Sequence, residues 1–362
     1  MKKLLILLLV LTPILSFSQE LSIDLQEQIK QAQKEFQIPA IGVSLITTDS
    51  IFSYVNGRII LGKKEKISPD AKFHLGSNTK AITAFMAMHL IEEGKLELET
   101  PFFQLFPELQ ANAGAEYHQI TLGDLLSHQA LIPAYTKGIE LAKFRNLKGS
   151  ASDNRYVFAQ SVLKDKPAKK GEYSNAGYVL AALMLEKASG KTYRQLLEET
   201  MDDLDLDWFV GFPNKETTKN PWGHWFEGAS LTALEPTHDY KLPNFMSSAG
   251  DVSMNLADYS KFVQLNLKGL IGESNYLKAA TYKLLHFGQS PYAYGWGNTL
   301  NDGAQVSYHD GSAGTYYCHT LINTDRNLAV VIVANTATPE AVKAIYNLRK
   351  WILNHPQESK KP

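Results

Sequence analysis

The sequence predicts an α+β fold in which an antiparallel sheet is flanked by N- and C-terminal helices and a mainly helical subdomain is inserted between the two ends. Strand-like segments lie near both ends of the chain, whereas about residues 101–287 are mainly helical and rich in loops. The chain has 362 residues, 44% of them hydrophobic, which is enough for one large core or two subdomains. We therefore expect one domain over residues 19–362, its α/β part formed by about residues 19–100 and 288–362.

The first part of this domain is predicted to contain a helix, two strands and a second helix. Apolar residues recur at helical spacing before Pro39, namely Leu25, Ile29, Ala32 and Phe36. Strands are predicted at residues 42–46 and 51–55. The second helix, residues 81–93, is followed by Gly94, a residue typical of helix C-termini.

The rest of the domain continues the pattern. In chain order the sequence predicts helical segments at residues 122–128, 156–163 and 176–189, strands at 305–309, 315–322 and 328–334, and a helix at 339–353. Pro339 suits the first turn of the last helix. The C-terminal strands and helix are therefore expected to complete the sheet that the N-terminal strands begin.

Residues 1–18 are predicted to be a signal peptide. Two lysines precede an apolar run, and a small-x-small cleavage site ends at Ser18. The apolar run, roughly 12 residues long, is too short to span a bilayer. We expect an exported bacterial enzyme, periplasmic or secreted, with no stable membrane anchor after cleavage.

Composition narrows the function classes. The formal net charge of -1 and the pI near 6.8 indicate no general attraction to nucleic acid. Cys318 is the only cysteine, so an internal disulfide and a cysteine metal cage are excluded, and we expect it to be a small buried strand residue. The acidic run at residues 202–207 lacks the glycine and terminal glutamate of a calcium loop. No metal and no cofactor are predicted.

Three short motifs, in chain order, carry the candidate chemistry: Ser77-Asn78-Thr79-Lys80, Tyr173-Ser174-Asn175 and His309-Asp310-Gly311. A serine hydroxyl attacks a carbonyl only if a neighbouring group takes its proton, and a lysine one helical turn away can do so. Ser77 precedes a long apolar helix, whose N-terminus favours a developing negative charge. The other S-x-x-K tetrad, at residues 161–164, lies late in a helix, so we interpret its lysine as a solvated charge.

At these residues the sequence resembles the serine β-lactamase and penicillin-binding-protein superfamily, in particular its class C β-lactamase, D-alanyl-D-alanine carboxypeptidase and esterase branch. Four further segments are similar to the family: residues 73–80, 125–128, 248–253 and 294–297. The resemblance thus extends over nearly the whole mature chain and implies a two-subdomain β-lactamase-like fold.

The resemblance also implies roles for site residues. Ser77 is expected to be the acyl-accepting nucleophile. Lys80 is expected to accept or relay its proton, which requires a lowered pKa. Tyr173 would share that work as a phenol or phenolate, and Asn175 would orient Lys80 and bind the acyl side chain. The backbone N–H groups of Ser77 and Ser312 would form the oxyanion hole.

The third motif is expected to face the substrate. His309 replaces the lysine of the K-T-G form of this motif and would line the pocket and tune Tyr173. Gly311 would let the strand approach the substrate without a side chain in the way. Simpler interpretations remain open: Tyr173 as a core aromatic residue, His309 as an ordinary strand residue and His128 as a structural residue.

Two departures from the family pattern bear on the substrate. Asp310 stands where threonine or serine is common, and its carboxylate would repel an anionic substrate unless it points away from the cleft. The segment 126–131 lacks the glycine that usually follows His128. Both favour an esterase or peptidase acting on a small-molecule or peptide ester or amide. A class C-type β-lactamase and a non-catalytic penicillin-binding or sensing domain are the alternatives.

Overall fold

The computed structural model describes residues 21–228, 230–301 and 304–355, so the predicted signal peptide lies outside the described residues. The helices are α1 (Ile23–Glu35), α2 (Thr79–Glu92), α3 (Phe102–Leu105), α4 (Pro107–Gln110), α5 (Leu122–Leu126), α6 (Ala151–Val162), α7 (Asn175–Ser189), α8 (Tyr193–Asp203), α9 (Pro213–Glu216), α10 (Ser247–Gly250), α11 (Leu256–Leu270), α12 (Ala279–Phe287) and α13 (Pro339–Asn354). The strands are β1 (Ala40–Ile46), β2 (Ile51–Gly57), β3 (Lys72–His74), β4 (Trp208–Val210), β5 (His224–Glu227), β6 (Ser230–Ala233), β7 (Val252–Asn255), β8 (Gly297–Asn301), β9 (Ala304–Ser312), β10 (Tyr317–Asn323) and β11 (Leu328–Ala334).

The large sheet joins the two ends of the chain. Among the described residues it has six strands in the order β2-β1-β11-β10-β9-β8, and all neighbours are antiparallel. The N-terminal strand β1 pairs with β11 over its length, with Ile41 opposite Ala334. This pairing confirms the predicted α+β class and the predicted antiparallel sheet.

Helices cover both faces of this sheet. On one face α1 and α13 bury a cluster that includes Leu25, Val43, Ile332 and Ile345. On the other face α11 packs against β1 and β11, and a larger apolar core continues from there into α2 and α7. All seven residues of β1 are buried, because each face of the strand meets a helical layer.

The middle of the chain is mainly helical, as predicted, but it also contains short strands that the sequence analysis did not find. β7 pairs with both β3 and β4 in a small three-stranded sheet, and β5 and β6 form a hairpin. Strands of three or four residues are too short to show an alternating pattern, which explains the omission. The helix α11 lies inside the range assigned to the helical insert, yet it covers the large sheet.

Two smaller observations complete the fold. Cys318 is fully buried in β10, as the sequence analysis expected, and burial raises the pKa of its thiol. Within the ranges that the structure describes, none of the helices combines the length and apolar character needed to cross a membrane.

Candidate active site

Ser77 lies in a tight turn, Gly76–Asn78, that leads directly into α2. Gly76 has φ +52°, a left-handed conformation that favours glycine. The hydroxyl of Thr79 donates to the carbonyl of Gly76 at 2.8 Å and accepts from the backbone N–H of Val252 at 3.1 Å. The turn is therefore fixed to β7 on one side, and the hydroxyl of Ser77 is left partly exposed at its tip.

Asn78 fixes the other side of the same turn. Its side chain is fully buried, and its Nδ2 donates to the carbonyl of Cys318 in β10 at 3.0 Å. Its Oδ1 accepts from the hydroxyl of Tyr259 in α11 at 2.9 Å. A buried polar group without a hydrogen-bond partner destabilises the fold, so these two hydrogen bonds are maintained. Asn78 therefore fixes the Gly76–Asn78 turn against the large sheet.

Two glycines allow the turn and strand β9 to approach each other closely. A Cβ on Gly311 would lie 2.0 Å from the carbonyl oxygen of Leu75 and 2.7 Å from the backbone nitrogen of Ser77. A Cβ on Gly76 would lie 2.4 Å from the backbone nitrogen of Ser312. The missing side chain of Gly311 therefore makes room for the Gly76–Asn78 turn, and its expected role toward the substrate stays a prediction. The close approach brings this turn next to the backbone nitrogen of Ser312.

Lys80 is fully buried, and its amine has three polar neighbours. The Nζ atom lies 2.7 Å from Oδ1 of Asn175, 2.6 Å from the carbonyl oxygen of Ala249 and 3.2 Å from Oγ of Ser77. Ala249 belongs to the segment 248–253 that the sequence analysis singled out, although its carbonyl had no predicted role. The two carbonyl-type oxygens can only accept hydrogen bonds, so both take an N–H from the lysine.

Burial lowers the pKa of Lys80 well below its usual value of 10.5, and no carboxylate stands among its three polar neighbours to oppose that shift. A neutral lysine amine has two N–H groups and one lone pair. In that form Asn175 and Ala249 can accept both N–H groups, which leaves the lone pair for the hydroxyl of Ser77, whereas the protonated amine donates its third N–H to Oγ of Ser77. Because burial favours the neutral form, the arrangement is compatible with transfer of the serine proton to Lys80.

Tyr173 lies beside this pair. The Nζ of Lys80 is 4.8 Å from the centroid of the Tyr173 ring. The hydroxyl of Tyr173 is buried, and among the described residues it makes no hydrogen bond of normal geometry. Burial raises the pKa of this hydroxyl, an effect that the nearby Ser77 hydroxyl partly offsets. At neutral pH the side chain is therefore a phenol, which resolves the phenol-or-phenolate alternative left by the sequence.

Asn175 begins α7 and connects Lys80 to the wall of the cleft. Its Nδ2 donates to the carbonyl of Tyr135 at 3.1 Å, which leaves Oδ1 as the acceptor for Lys80. Ser174, the N-cap of the helix, accepts from the backbone N–H of Gly177 at 2.9 Å. The helix start thus aims Asn175 at Lys80, in the orientation that the sequence analysis expected.

His309 sits behind these residues. Its Nδ1 donates to its neighbour's carbonyl, that of Asp310, at 2.9 Å, so Nε2 accepts from the hydroxyl of Tyr292 at 3.0 Å. Its ring centroid is 6.4 Å from that of Tyr173, and burial lowers its pKa to about 3. His309 is therefore neutral and is almost completely buried. Its expected contact with substrate stays a prediction.

His128 also contacts the site from behind. Its Nδ1 accepts from the backbone N–H of Ser174 at 3.2 Å, next to Tyr173. Its ring stacks obliquely on Tyr173 and on Tyr292, each at a centroid distance of 4.4 Å. Burial lowers the pKa of His128 well below its usual value, so this residue, like His309, is neutral. These contacts are those of a structural residue.

Asp310 points away from the site, to the opposite face of β9. Its carboxylate accepts from the hydroxyl of Tyr317 at 2.9 Å, from Nδ1 of His319 at 2.7 Å and from the hydroxyl of Tyr346 in α13 at 2.7 Å. Burial opposes ionisation, but these donors outweigh it and lower the pKa of Asp310 to about 2. The expected repulsion of an anionic substrate therefore loses its basis.

The second departure from the family pattern is the missing glycine after His128. Leu131 has φ +59°, the left-handed conformation that a glycine adopts without strain. The loop after His128 thus takes a glycine-like backbone conformation at a residue that is not glycine.

Ser77 opens into a cleft of about 1210 Å³, which Asn175 and Ser312 also line. Ser312 is exposed there, and its hydroxyl accepts from the backbone N–H of Gly314 at 3.0 Å. Groups of three or more histidine, cysteine or carboxylate side chains arranged to hold a metal ion do not occur in the part of the chain that the structure describes.

The sequence analysis missed four residues that shape this site: Gly76, Asn78, Ala249 and Tyr292. Asn78 lies inside the motif that named Ser77 and Lys80, so its position was available although its role was not. Ala249 contacts Lys80 through its backbone carbonyl, and Tyr292, a loop residue, contacts His309 through its side-chain hydroxyl. No side-chain pattern in the sequence marks such contacts.

Comparison with known proteins agrees with this geometry. Protein flp of Staphylococcus aureus strain MW2 is 25% identical over 341 residues, which cover 86% of this chain and 64% of that protein. The unguisins hydrolase ungD' of Aspergillus campestris is 24% identical over 333 residues, which cover 86% of this chain and 61% of that protein. The chain thus spans less than two thirds of the length of these relatives.

Solved structures share the fold. The octameric penicillin-binding protein homologue from Pyrococcus abyssi superposes with a TM-score of 0.72 at 22% identity, covering 94% of this chain and 79% of that one. The class C beta lactamase from Rhodobacter sphaeroides gives 0.70 at 19% identity, covering 92% and 100%. The sequence profile of the Beta-lactamase family matches residues 25–351. The chain therefore belongs to the Beta-lactamase family, as its motifs predicted.

Proposed function

We propose that this protein is a serine hydrolase that forms an acyl-enzyme on Ser77 and hydrolyses an ester or amide bond. Family membership and a relative named as a hydrolase support a serine hydrolase in general. One observation carries the assignment of the nucleophile: Nζ of the fully buried Lys80 lies 3.2 Å from Oγ of Ser77, and its two other polar neighbours are carbonyl-type oxygens that can accept both N–H groups of a neutral amine. An inert scaffold has no need of a buried lysine beside a serine.

In the proposed mechanism Lys80 takes the proton of Ser77 as the serine oxygen attacks the substrate carbonyl. The backbone N–H groups of Ser77 and Ser312 stabilise the negative charge that develops on the carbonyl oxygen. The proton passes from Lys80 through the Tyr173 phenol to the leaving group, and the carbonyl–leaving-group bond breaks. A water molecule then repeats the sequence on the acyl-enzyme, which releases the acid and regenerates Ser77.

The leading substrate class is an ester or peptide-like amide. A class C-type β-lactamase is the second candidate, and one observation favours keeping it: the carboxylate of Asp310 is held by donors on the far face of β9. A substrate carboxylate in the cleft would not meet it directly. A non-catalytic penicillin-binding domain is the remaining alternative, since it would form the same acyl-enzyme but would not hydrolyse it.

Intact-mass spectrometry of acyl adducts tests the proposal. The wild-type protein and Ser77→Ala are each exposed to a fluorophosphonate, a cephalosporin, a p-nitrophenyl ester and a D-Ala-D-Ala peptide. Ser161→Ala is the matched control, because Ser161 belongs to the other S-x-x-K tetrad. We expect adducts and steady-state turnover in wild type and Ser161→Ala, and neither in Ser77→Ala.

Two results would count against this proposal. Turnover retained in Ser77→Ala would remove Ser77 as the nucleophile. One equivalent of product with no steady state would favour the non-catalytic domain.

Export is part of the proposal as well. N-terminal sequencing of the protein expressed in a bacterium should give a sequence that begins at Gln19, and an intact Met1 would reject signal cleavage.

A further inference from the structure

The cleft beside Ser77 has an aromatic wall on each side. One wall, from the helical region, contains Tyr135, Phe144 and Phe245. Phe144 lies edge-on to Phe245 at a centroid distance of 5.7 Å and is 6.3 Å from Tyr135. The other wall contains Trp225 and Tyr240, whose rings are 5.1 Å apart. The cleft that contains Ser77 is therefore lined by two groups of rings.

Each wall is tied to the candidate catalytic machinery by one hydrogen bond. The Nδ2 of Asn175 donates to the carbonyl of Tyr135 at 3.1 Å. The hydroxyl of Tyr240 donates to the carbonyl of Ala313 at 2.9 Å, directly after Ser312. The rings are thus held at a set position relative to the oxyanion donors, which is the condition for a specificity site rather than for incidental surface apolarity.

Trp225 lies in β5 of the β5–β6 hairpin and lines the cleft. Trp225 is half-buried and also packs edge-on against His238 at 5.4 Å. The next residue, Phe226, is 53% exposed and does not line the cleft. Side chains alternate along a strand, so the hairpin presents one large aromatic residue to the cleft and its neighbour to the outside.

From this arrangement we infer that the preferred substrates are esters or amides that carry a bulky aromatic group near the reacting carbonyl, and that Trp225 is a specificity-determining residue for that group. The inference rests on the proposed function and specifies its substrate class. A flat ring between the walls makes edge-to-face and stacked contacts with residues already held in place. An acetyl-sized group leaves those surfaces in contact with water and gains little from them.

Three esters of similar intrinsic reactivity test the inference: ethyl acetate, ethyl 3-phenylpropanoate and 2-phenylethyl acetate. The second ester places a ring on the acyl side and the third on the leaving-group side. Two methylene groups separate each ring from the reacting atoms. We expect wild-type kcat/KM for at least one phenyl ester to exceed that for ethyl acetate about ten-fold, the discrimination that an apolar pocket commonly gives.

The variants assign the preference to the wall. Trp225→Ala should lower the ratio of kcat/KM for the preferred phenyl ester to kcat/KM for ethyl acetate by about ten-fold. Trp225→Phe should retain most of this ratio. Phe226→Ala is the matched control on the same strand and should leave the ratio unchanged. Circular dichroism and the thermal unfolding midpoint establish that each variant is folded. If Trp225→Ala does not fold, the wild-type ratio still tests the preference for an aromatic group.

A ratio close to one in wild type, or an unchanged ratio in folded Trp225→Ala, would overturn the inference. Ser77-dependent hydrolysis of all three esters at similar rates would leave the proposed function intact while removing the aromatic preference. If no ester is hydrolysed and a fluorophosphonate does not label Ser77, the proposed function fails and the inference fails with it.

Discussion

Two regions on opposite faces of β9 each contain an ionisable group with a shifted pKa, and the shifts favour opposite charge states. On one face the fully buried Lys80 has two carbonyl-type acceptors and a serine hydroxyl, and burial lowers its pKa well below 10.5. On the other face the half-buried Asp310 has three donors, and its pKa falls to about 2. The neutral form is favoured at Lys80, whereas the ionised form is favoured at Asp310.

The difference shows that burial alone does not determine charge. Burial disfavours the charged form of both groups, and only Asp310 has enough hydrogen bonds to its charged form to overcome that cost. The neutral amine suits proton transfer, since a protonated lysine could not accept the proton of Ser77. The carboxylate of Asp310 has a structural role, because its hydrogen bonds connect β9 to β10 and to α13.

The largest expected effect comes from removing the amine. Lys80→Met should lower kcat/KM about 1000-fold, within the range associated with losing a positioned general base. The fold should persist, because an apolar side chain of similar length fills the same volume. Steady-state kinetics alongside circular dichroism measure the two effects. Near-wild-type turnover in a folded Lys80→Met variant would exclude lysine as the base.

The next effect comes from the opposite face. Asp310→Asn should lower the free energy of unfolding by about 2–3 kcal/mol, as expected for lost hydrogen bonds to a charged group. Tyr346→Phe, which removes one donor, should cost about 1 kcal/mol. Urea unfolding at pH 7 measures both changes. Equal stability of Asp310→Asn and wild type would show that the three donors do not stabilise the fold.

The same carboxylate gives a pH signature. The pKa of Asp310 is about 2 when folded and ordinarily 3.8, so its stabilisation is complete above pH 4 and is lost as the pH falls towards 2. The shift corresponds to about 2 kcal/mol. Comparing the acid limb of unfolding in wild type and Asp310→Asn measures it, and parallel limbs would contradict the assigned shift.

The last effect, which is the smallest per pH unit, is a slope of the free energy of unfolding with pH. Between the lowered pKa of Lys80 in the fold and 10.5, the unfolded chain binds a proton at Lys80 that the folded chain does not, so the free energy of unfolding rises with pH in that range. The contribution is at most about 1.4 kcal/mol per pH unit. Unfolding measured from pH 7 to 9 should show a steeper rise in wild type than in Lys80→Met, and identical slopes would mean that Lys80 is charged in the fold.

The sequence predicted the fold class, the larger elements and the motif residues around Ser77 because these depend on local patterns. Helices α1, α7 and α13 have apolar periodicity and clear end residues, and β1 and β11 are continuous apolar runs. The strands β4 to β7 were missed because each is three or four residues long. The contribution of Ala249 was missed because a backbone carbonyl carries no residue-type signal.

Asp310 shows most directly what a sequence leaves undecided. As a carboxylate in a substrate-facing motif it argued against anionic substrates, yet its partners Tyr317, His319 and Tyr346 lie up to 36 residues away in the chain. Strand alternation allowed either face, and the pairing of β9 with β10 together with the packing of α13 on the sheet determined which donors it would meet. Gly311 behaves similarly, since its missing side chain makes room for a turn more than two hundred residues earlier.

The sequence by itself therefore determined the order of the motifs, the family and the identity of the candidate nucleophile and its lysine neighbour, because residue type and short spacing specify these. The tertiary structure decided the direction of the pKa shifts of Lys80, His309 and Asp310, the close approach of the Gly76–Asn78 turn to β9 and the aromatic lining of the cleft. The physical reason is that protonation and close approach depend on which distant groups are brought within a few ångströms of one another. Spacing along the chain does not contain that information.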